Sequence, residues 1–265
     1  MPSPVAPDYY INFVIPVYNR AHSLSLALEA LRLQSDHRFT VVIADDGSTD
    51  KIMPVVLLAS KFMSIRYFFR PHDAYNVALM RNYGAKLRTT NCTHIWCLDS
   101  DILLNKGAVR HAYQLMLKYP RAIIVGRYDW LPPLVVEPQD VMLRWDDIIN
   151  ARLPIATGNW GAIRHYPDTR HVDWDSHAVQ KNIKGAALSG NIIVPVEWWE
   201  RVGGFDDNIK AQGSDCDFGK RLSKEDADFI FCGHIIGYHI EHERDMKFVQ
   251  ESVQWTIQYM KEKGL

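Results

Sequence analysis

The heptapeptide Ile95-Trp96-Cys97-Leu98-Asp99-Ser100-Asp101 sets two carboxylates at the end of an apolar run. Strand side chains alternate faces, so if the run is a buried strand, Asp99 and Asp101 point to the same side. Two anions held there repel each other unless a cation lies between them. Mg2+ and Mn2+, which prefer oxygen ligands, suit that position. Asp-x-Asp alone is a common solvated turn, and its weight here comes from company. Pro16-Val17-Tyr18-Asn19 and Asp45-Asp46-Gly47-Ser48-Thr49-Asp50 also close apolar runs. Arg81 offers a guanidinium, a good match for an anionic oxygen pair. Asp215 stands in Gly213-Ser214-Asp215-Cys216-Asp217, and Tyr238-His239-Ile240-Glu241-His242 brings two imidazoles.

The elements that must position these residues follow from periodicity. Tyr10–Asn19, Phe39–Ala44, Ile65–Phe69 and Ile95–Leu98 have the composition of strands. Between them, Ser23–Gln34 carries Leu24, Leu28 and Leu31 at helical spacing, and 51–63 and 74–88 are also expected to be helical, with Pro54 in a first turn. Strands alternating with helices at this spacing predict an α/β fold with a mostly parallel sheet covered by helices on both faces. Ligands of such sheets bind beyond the carboxyl ends of the strands, where the three polar clusters fall, so the clusters should share one crevice.

In the second half, 105–118 is expected to be a helix and Ala122–Val125 a strand. The chain from Arg127 to about Gly185 is irregular and rich in aromatic residues, including Trp130, Trp145, Trp160, Trp174 and Tyr166-Pro167. Its flat faces suit the C–H surfaces of a sugar acceptor, or serve only as packing. Ala186–Pro195 is predicted to be a strand, Val202–Asn208 a turn, Ser214 or Asp215 a helix cap, and Asp228–Cys232 a strand. Gly237–His242 is expected to be a loop, and Arg244–Lys263 a helix with Val249, Val253, Ile257 and Met260 on one stripe.

Composition excludes several classes. Lys plus Arg number 30 and Asp plus Glu 31, so bulk charge gives no reason to expect nucleic acid as a partner. No apolar run approaches the ~20 residues of a membrane span, and the first residues lack the pattern of a secretory leader. Cys92, Cys97, Cys216 and Cys232 form no C-x-x-C pair and suit reduced thiols in a cytoplasmic protein. No G-x-G-x-x-G follows the first strand and no P-loop is present, which argues against dinucleotide dehydrogenases and NTPases.

Five blocks in order, Ile15–Arg20, Ala44–Asp50, Arg81–Ala85, Leu98–Asp101 and Gly203–Asp206 leading to Gly213–Phe218, resemble the family 2 glycosyltransferases. These are nucleotide-diphosphosugar transferases of the GT-A fold, and the resemblance runs from about residue 10 to 242. The closing Tyr238–His242 segment is similar to the metal-histidine loop of the polysaccharide-polymerising and N-acetylgalactosaminyl-transferring relatives. The resemblance implies a single GT-A domain over 1–265. A nucleotide-sugar half (about 10–105) would be followed by an acceptor half (about 106–243) and a terminal helix (244–265).

By the same resemblance, Tyr18 beside Pro16 stacks on uracil, and Asp46 accepts the hydrogen bond of its imide N–H. Arg81 and Ser100 lie along the ribose and pyrophosphate. Asp101, Asp99 and His239 hold Mn2+ or Mg2+, with His242 as the alternative imidazole. Asp215 is the base that deprotonates the acceptor hydroxyl. Ser214 replaces the Glu that usually precedes this Asp, which keeps Asp217 open as the alternative base. The implied reaction is inverting, metal-dependent transfer from a UDP-sugar to a glycan or other hydroxyl acceptor. A retaining transferase using a GDP- or UDP-sugar, and a silent nucleotide-sugar-binding module, are the alternatives.

Overall fold

The computed structural model describes residues 8–157, 167–168, 170, 172–174, 176, 178–181, 183, 188–210, 212–242 and 246–264, without the side chains of 246 and 248. The expectations placed on Trp160, Tyr166, Gly185–Ala187 and Arg244 lie outside them.

Among the described residues, eight strands form one sheet in the order β3-β2-β1-β4-β7-β6-β8-β5. Its first half comprises β1 (Ile11–Val17), β2 (Phe39–Asp45), β3 (Ile65–Phe69) and β4 (His94–Leu98), all parallel. Every residue of β1, β2 and β4 is buried, as expected of near-continuous apolar strands covered on both faces. The lone polar residue of β1, Asn12, is satisfied by Thr89 and by the Ile11 carbonyl.

Helices α1 (Ala21–Arg32), α2 (Ile52–Ala59) and α3 (Val77–Lys86) make the crossovers. In α1 the expected Leu24, Leu28 and Leu31 are buried, and Pro54 sits in the first turn of α2. The Asn76 side chain caps α3 by accepting from the Leu79 N–H at 2.9 Å.

The second half returns on itself. Strand β7 (Asn191–Pro195) runs antiparallel to β4 and to β6 (Ile123–Leu131). Strand β8 (Phe229–Ile240) is parallel to β6, and β5 (Ile102–Leu104) closes the edge antiparallel to β8. The remaining helices are α4 (Ala108–Lys118), α5 (Pro138–Leu143), α6 (Trp145–Ile149), α7 (Val196–Val202), α8 (Ser214–Lys224) and α9 (Met246–Glu262).

Several expectations are corrected. Gly237–Ile240 is not a loop but the end of β8, because it pairs on one side with β5 (Leu104↔Gly237, Ile102↔His239) and on the other with β6 (Trp130↔His239). Two ladders outweigh the poor strand propensity of Gly and His. Arg127–Leu131 is not irregular but continues β6, and 138–149 contains two short helices. Strand β7 starts at Asn191, since Ser189 and Gly190 form a turn. Helix α8 has Gly213 at its N-cap (φ 93°), with no side-chain cap from Ser214 or Asp215. The stripe on α9 also differs: Val253 and Ile257 are exposed, whereas Thr256 and Met260 are buried.

Candidate active site

The carboxyl ends of β1, β2 and β4 meet where the chain order changes sides, with β2 on one flank of β1 and β4 on the other. A cleft of about 520 Å³ opens there, and Pro16, Tyr18, Asp46, Arg81, Asp99, Ser100, Asp101, Asp215, His239 and His242 all line it. The expected uracil, diphosphate, metal and base positions thus all reach one cavity, as does Trp130 of the aromatic segment, whereas Trp145 and Trp174 do not line it. Nor does Asp217: it is fully buried on the opposite side of α8, paired with Arg221 at 2.6 Å.

At one end, the Tyr18 ring stacks on His72 with centroids 4.1 Å apart and planes 13° apart. Asp46 is almost fully buried, and Arg70 binds its Oδ1. His72 reaches the Asp46 carbonyl at 2.9 Å. Asp45 braces the turn instead, accepting from the Ser48 N–H at 2.8 Å and the Tyr67 hydroxyl at 2.7 Å. Arg70 and His72 were missed by sequence reasoning, since they stand in an aperiodic link between β3 and α3.

At the centre, Arg81 donates to Asp99 Oδ1 at 2.5 Å. Burial disfavours its charge, but Asp99, with smaller contributions from Cys97, Asp215 and Tyr75, together outweighs burial and raises the guanidinium pKa. Asp99 is therefore turned to Arg81, and the potential metal ligands that converge are Asp101, His239 and His242, whose ligand atoms lie within 4.8 Å of one another. The pairing of Ile102 with His239 explains the meeting, because Asp101 directly precedes the paired residue. Asp101 Oδ2 is 2.9 Å from His242 Nε2 and 3.4 Å from His239 Nε2. Burial pushes the Asp101 carboxyl up, but the two imidazoles outweigh it and hold it well below the usual carboxylate range. Asp101 Oδ1 is buried with no hydrogen-bond partner among the described residues. An orphaned carboxylate oxygen beside two imidazoles fits a divalent ion, and fits Mn2+ better than the more strictly oxygen-preferring Mg2+.

Around this centre, Tyr128 and Trp130 line the cleft and pack against His239, with centroids 5.5 and 4.4 Å away. Their period-2 spacing after Gly126 was the signal that β6 continues into the site. Arg20 donates to His242 Nδ1 at 3.0 Å, so Nε2 carries the ring proton and donates it to Asp101; for Nε2 to ligate an ion the ring must give up this bond from Arg20. Tyr75, Gln212 and Val249 complete the walls.

Asp215 lies in the first turn of α8, its Oδ1 accepting from the Cys216 N–H at 2.9 Å. Burial raises its pKa; Arg81 opposes this, and the Asp99 charge adds to it. A half-buried carboxylate of raised pKa beside a cavity is suited to taking a proton.

A family model described as Glycosyl transferase family 2 matches residues 12–147, just over half of the chain. The chain belongs to glycosyl transferase family 2. It is 27% identical over 242 residues to a chondroitin synthase of Escherichia coli, covering 87% of this chain and 34% of that protein. It is 28% identical over 259 residues to a validoxylamine A glucosyltransferase of Streptomyces hygroscopicus subsp. jinggangensis, covering 92% of this chain and 58% of that one. The family 2 chain thus spans about a third of the synthase and less than two thirds of the glucosyltransferase. Among solved structures, S. aureus TarS 1–349 in complex with UDP-GlcNAc superposes with a TM-score of 0.67 at 15% identity, over 89% of this chain and 60% of that one. The likeness bears out the GT-A fold, a mostly parallel curled sheet flanked by helices. No helix among the described residues is long and apolar enough to cross a membrane.

Proposed function

We propose that this chain is an inverting, divalent-metal-dependent glycosyltransferase moving a sugar from a UDP-sugar to a carbohydrate or other hydroxyl acceptor. The observation that carries the reading is the convergence of Tyr18, Asp46, Arg81, Asp101, His239 and Asp215 on one cleft. Relatives named as a chondroitin synthase and a glucosyltransferase, and a fold neighbour holding UDP-GlcNAc, support the donor class.

In this reading Tyr18 and Asp46 receive the uracil, with residues of about 10–105 as the nucleotide half and about 106–243 as the acceptor half. Arg81, fixed by Asp99, lies beside the ribose and diphosphate, and Ser100 contacts them. Asp101 with His239 and His242 would hold Mn2+, and the ion supplies positive charge that offsets the charge gained by the departing diphosphate. Asp215 accepts the proton of the acceptor hydroxyl as its oxygen forms a bond to the anomeric carbon. The bond from that carbon to the diphosphate oxygen breaks on the opposite face, so the configuration inverts. Four free cysteines, half-buried or buried, agree with a reducing, cytoplasmic setting.

A thermal-shift panel of nucleotide sugars with and without Mn2+ tests the donor, since a ligand of the native state raises its stability. Substitution Asp215→Asn should lower transfer by about 10²–10⁴-fold while UDP affinity stays near wild type. Transfer at the wild-type rate, or retained configuration in the product by NMR, overturns the assignment of Asp215. Absence of any donor turnover in the wild type with Mn2+ would favour a silent binding module.

A further inference from the structure

Helix α9 touches the entry of α8 through Thr256, Gly264 just beyond it touches the end of α8, and the helix contributes to the cleft through Val249. Its buried residue Thr256 makes two contacts with the two residues that precede α8. The Thr256 hydroxyl donates to the Gln212 carbonyl at 2.6 Å. The Thr256 methyl lies against Gly213, where an added Cβ would come within 2.6 Å of Cγ2. Gly213 has a φ of 93°, so sterics and backbone conformation both reserve this position for glycine.

One turn further on, the same face of α9 is fastened again. Asp206 accepts from the Tyr259 hydroxyl at 3.0 Å and from Lys263 at 2.6 Å, and the Gly264 carbonyl accepts from Lys224 at 2.9 Å. Residues 256, 259 and 263 are spaced to share one helix face. Asp215 is only two residues past Gly213, so the contact at Thr256 sets where the first turn of α8 begins.

We propose that Thr256 is a positioning residue for Asp215: α9 straps the Gln212-Gly213 entry of α8 and holds the carboxylate at the reacting hydroxyl. The inference rests on Asp215 being the base. It accounts for a buried threonine on a helix whose exposed side carries Val253, Trp255 and Ile257. Thr256 shares its buried side with Met260, and its hydroxyl is paired there with the Gln212 carbonyl.

The test compares Thr256→Val, which keeps the shape and removes the donor, with Thr256→Ser, which keeps the donor. Turnover is followed as UDP release with Mn2+ and whichever of UDP-glucose, UDP-N-acetylglucosamine, UDP-galactose or UDP-glucuronate the wild type uses fastest. Amide exchange of residues 212–216 is measured on the same proteins without substrate. Small misplacements of a reacting group cost up to about a hundredfold, so the Val variant should lose about ten- to a hundredfold in kcat. Donor KM should stay within about twofold of wild type, because Tyr18, Asp46 and Arg81 are untouched. Exchange at 212–216 should quicken in the Val variant alone, and the Ser variant should recover most of kcat.

Wild-type kcat and exchange in Thr256→Val, with Asp215→Asn inactive, overturn the strap and leave the base intact. An active Asp215→Asn overturns both. Should the Val variant not fold, Lys263→Gln loosens the same helix at its far end. Unchanged exchange at 212–216 in that variant counts against the strap.

Discussion

Asp217→Ala separates two carboxylates that the sequence left competing for one role. Asp217 is fully buried, and its Oδ2 accepts a hydrogen bond from Arg221 Nε at 2.8 Å, with the Nη2 of the same guanidinium 2.6 Å away. Removing one member of a buried pair typically costs about 3–5 kcal/mol, because the other is left uncompensated. Arg221 would keep the Val202 and Gly204 carbonyls at 2.7 and 2.8 Å, which favours the lower end, about 3 kcal/mol. In a chain of this size each kcal/mol moves the melting point by about 2–4 °C, so Asp217→Ala should melt about 6–12 °C below wild type. Differential scanning calorimetry measures that shift. Turnover well below the melt should fall by less than about tenfold, far short of the 10²–10⁴ that loss of a general base costs. The double substitution Asp217→Leu with Arg221→Met should recover only part of the stability: apolar replacement of a buried pair is commonly near neutral, but methionine cannot donate to the Val202 and Gly204 carbonyls. An Asp217→Ala enzyme that melts like wild type but transfers a hundredfold more slowly would make Asp217 the base and refute the reasoning.

Asp101→Ala should abolish stabilisation by manganese, which at a hundredfold excess over its Kd is worth about 2.7 kcal/mol in the wild type; undiminished stabilisation in a thermal melt would move the ion elsewhere. Because burial raises the pKa of Asp215 in the ligand-free protein and a base must be ionised, kcat/KM should fall as pH drops through a value above the usual carboxylate pKa of about 4. A limb at or below that value in a pH–rate profile contradicts the environment described for this residue. In Gly190→Ala the new Cβ would come within 2.6 Å of Asp99 Oδ2 and 2.9 Å of the Tyr128 ring. The Asp99–Arg81 pair should be displaced and transfer lowered about a hundredfold, and a steady-state assay at wild-type rate would show that the pair does not position the donor.

Legibility in the sequence tracked how local the determining interactions are. β1, β2 and β4 are buried on both faces, and their unbroken apolar runs could be read directly, together with the polar residues that end them. Their shared cleft followed from the direction of parallel strands alone. The segment around His239 could not be read the same way. Gly237-Tyr238-His239 has little intrinsic strand character, and it becomes a strand only through residues more than a hundred positions earlier. Arg70 and His72 join the site through contacts to Asp46 that no periodic pattern encodes. On α9 both sides carry apolar residues, so hydropathy alone does not mark the buried face, which holds Thr256 and Met260.

The direction of β7 explains why donor-side and acceptor-side residues meet. A parallel strand beside β4 would deliver its amino-terminal turn to the far edge of the sheet. Because β7 is antiparallel, the Leu188–Gly190 turn instead arrives at the carboxyl end of β4, where the Gly190 carbonyl accepts from the Asp99 N–H at 3.2 Å. The wall that faces the two aspartates is therefore built by a chain reversal. β6 and β8 then resume the original direction and bring Trp130 and His239 to the same end of the sheet. With the donor half built from consecutive parallel crossovers, variation in the return segment can alter the acceptor wall while the residues proposed to hold the nucleotide stay in place. That separation fits a family match confined to residues 12–147, and it agrees with the proposal that the second half forms the acceptor wall.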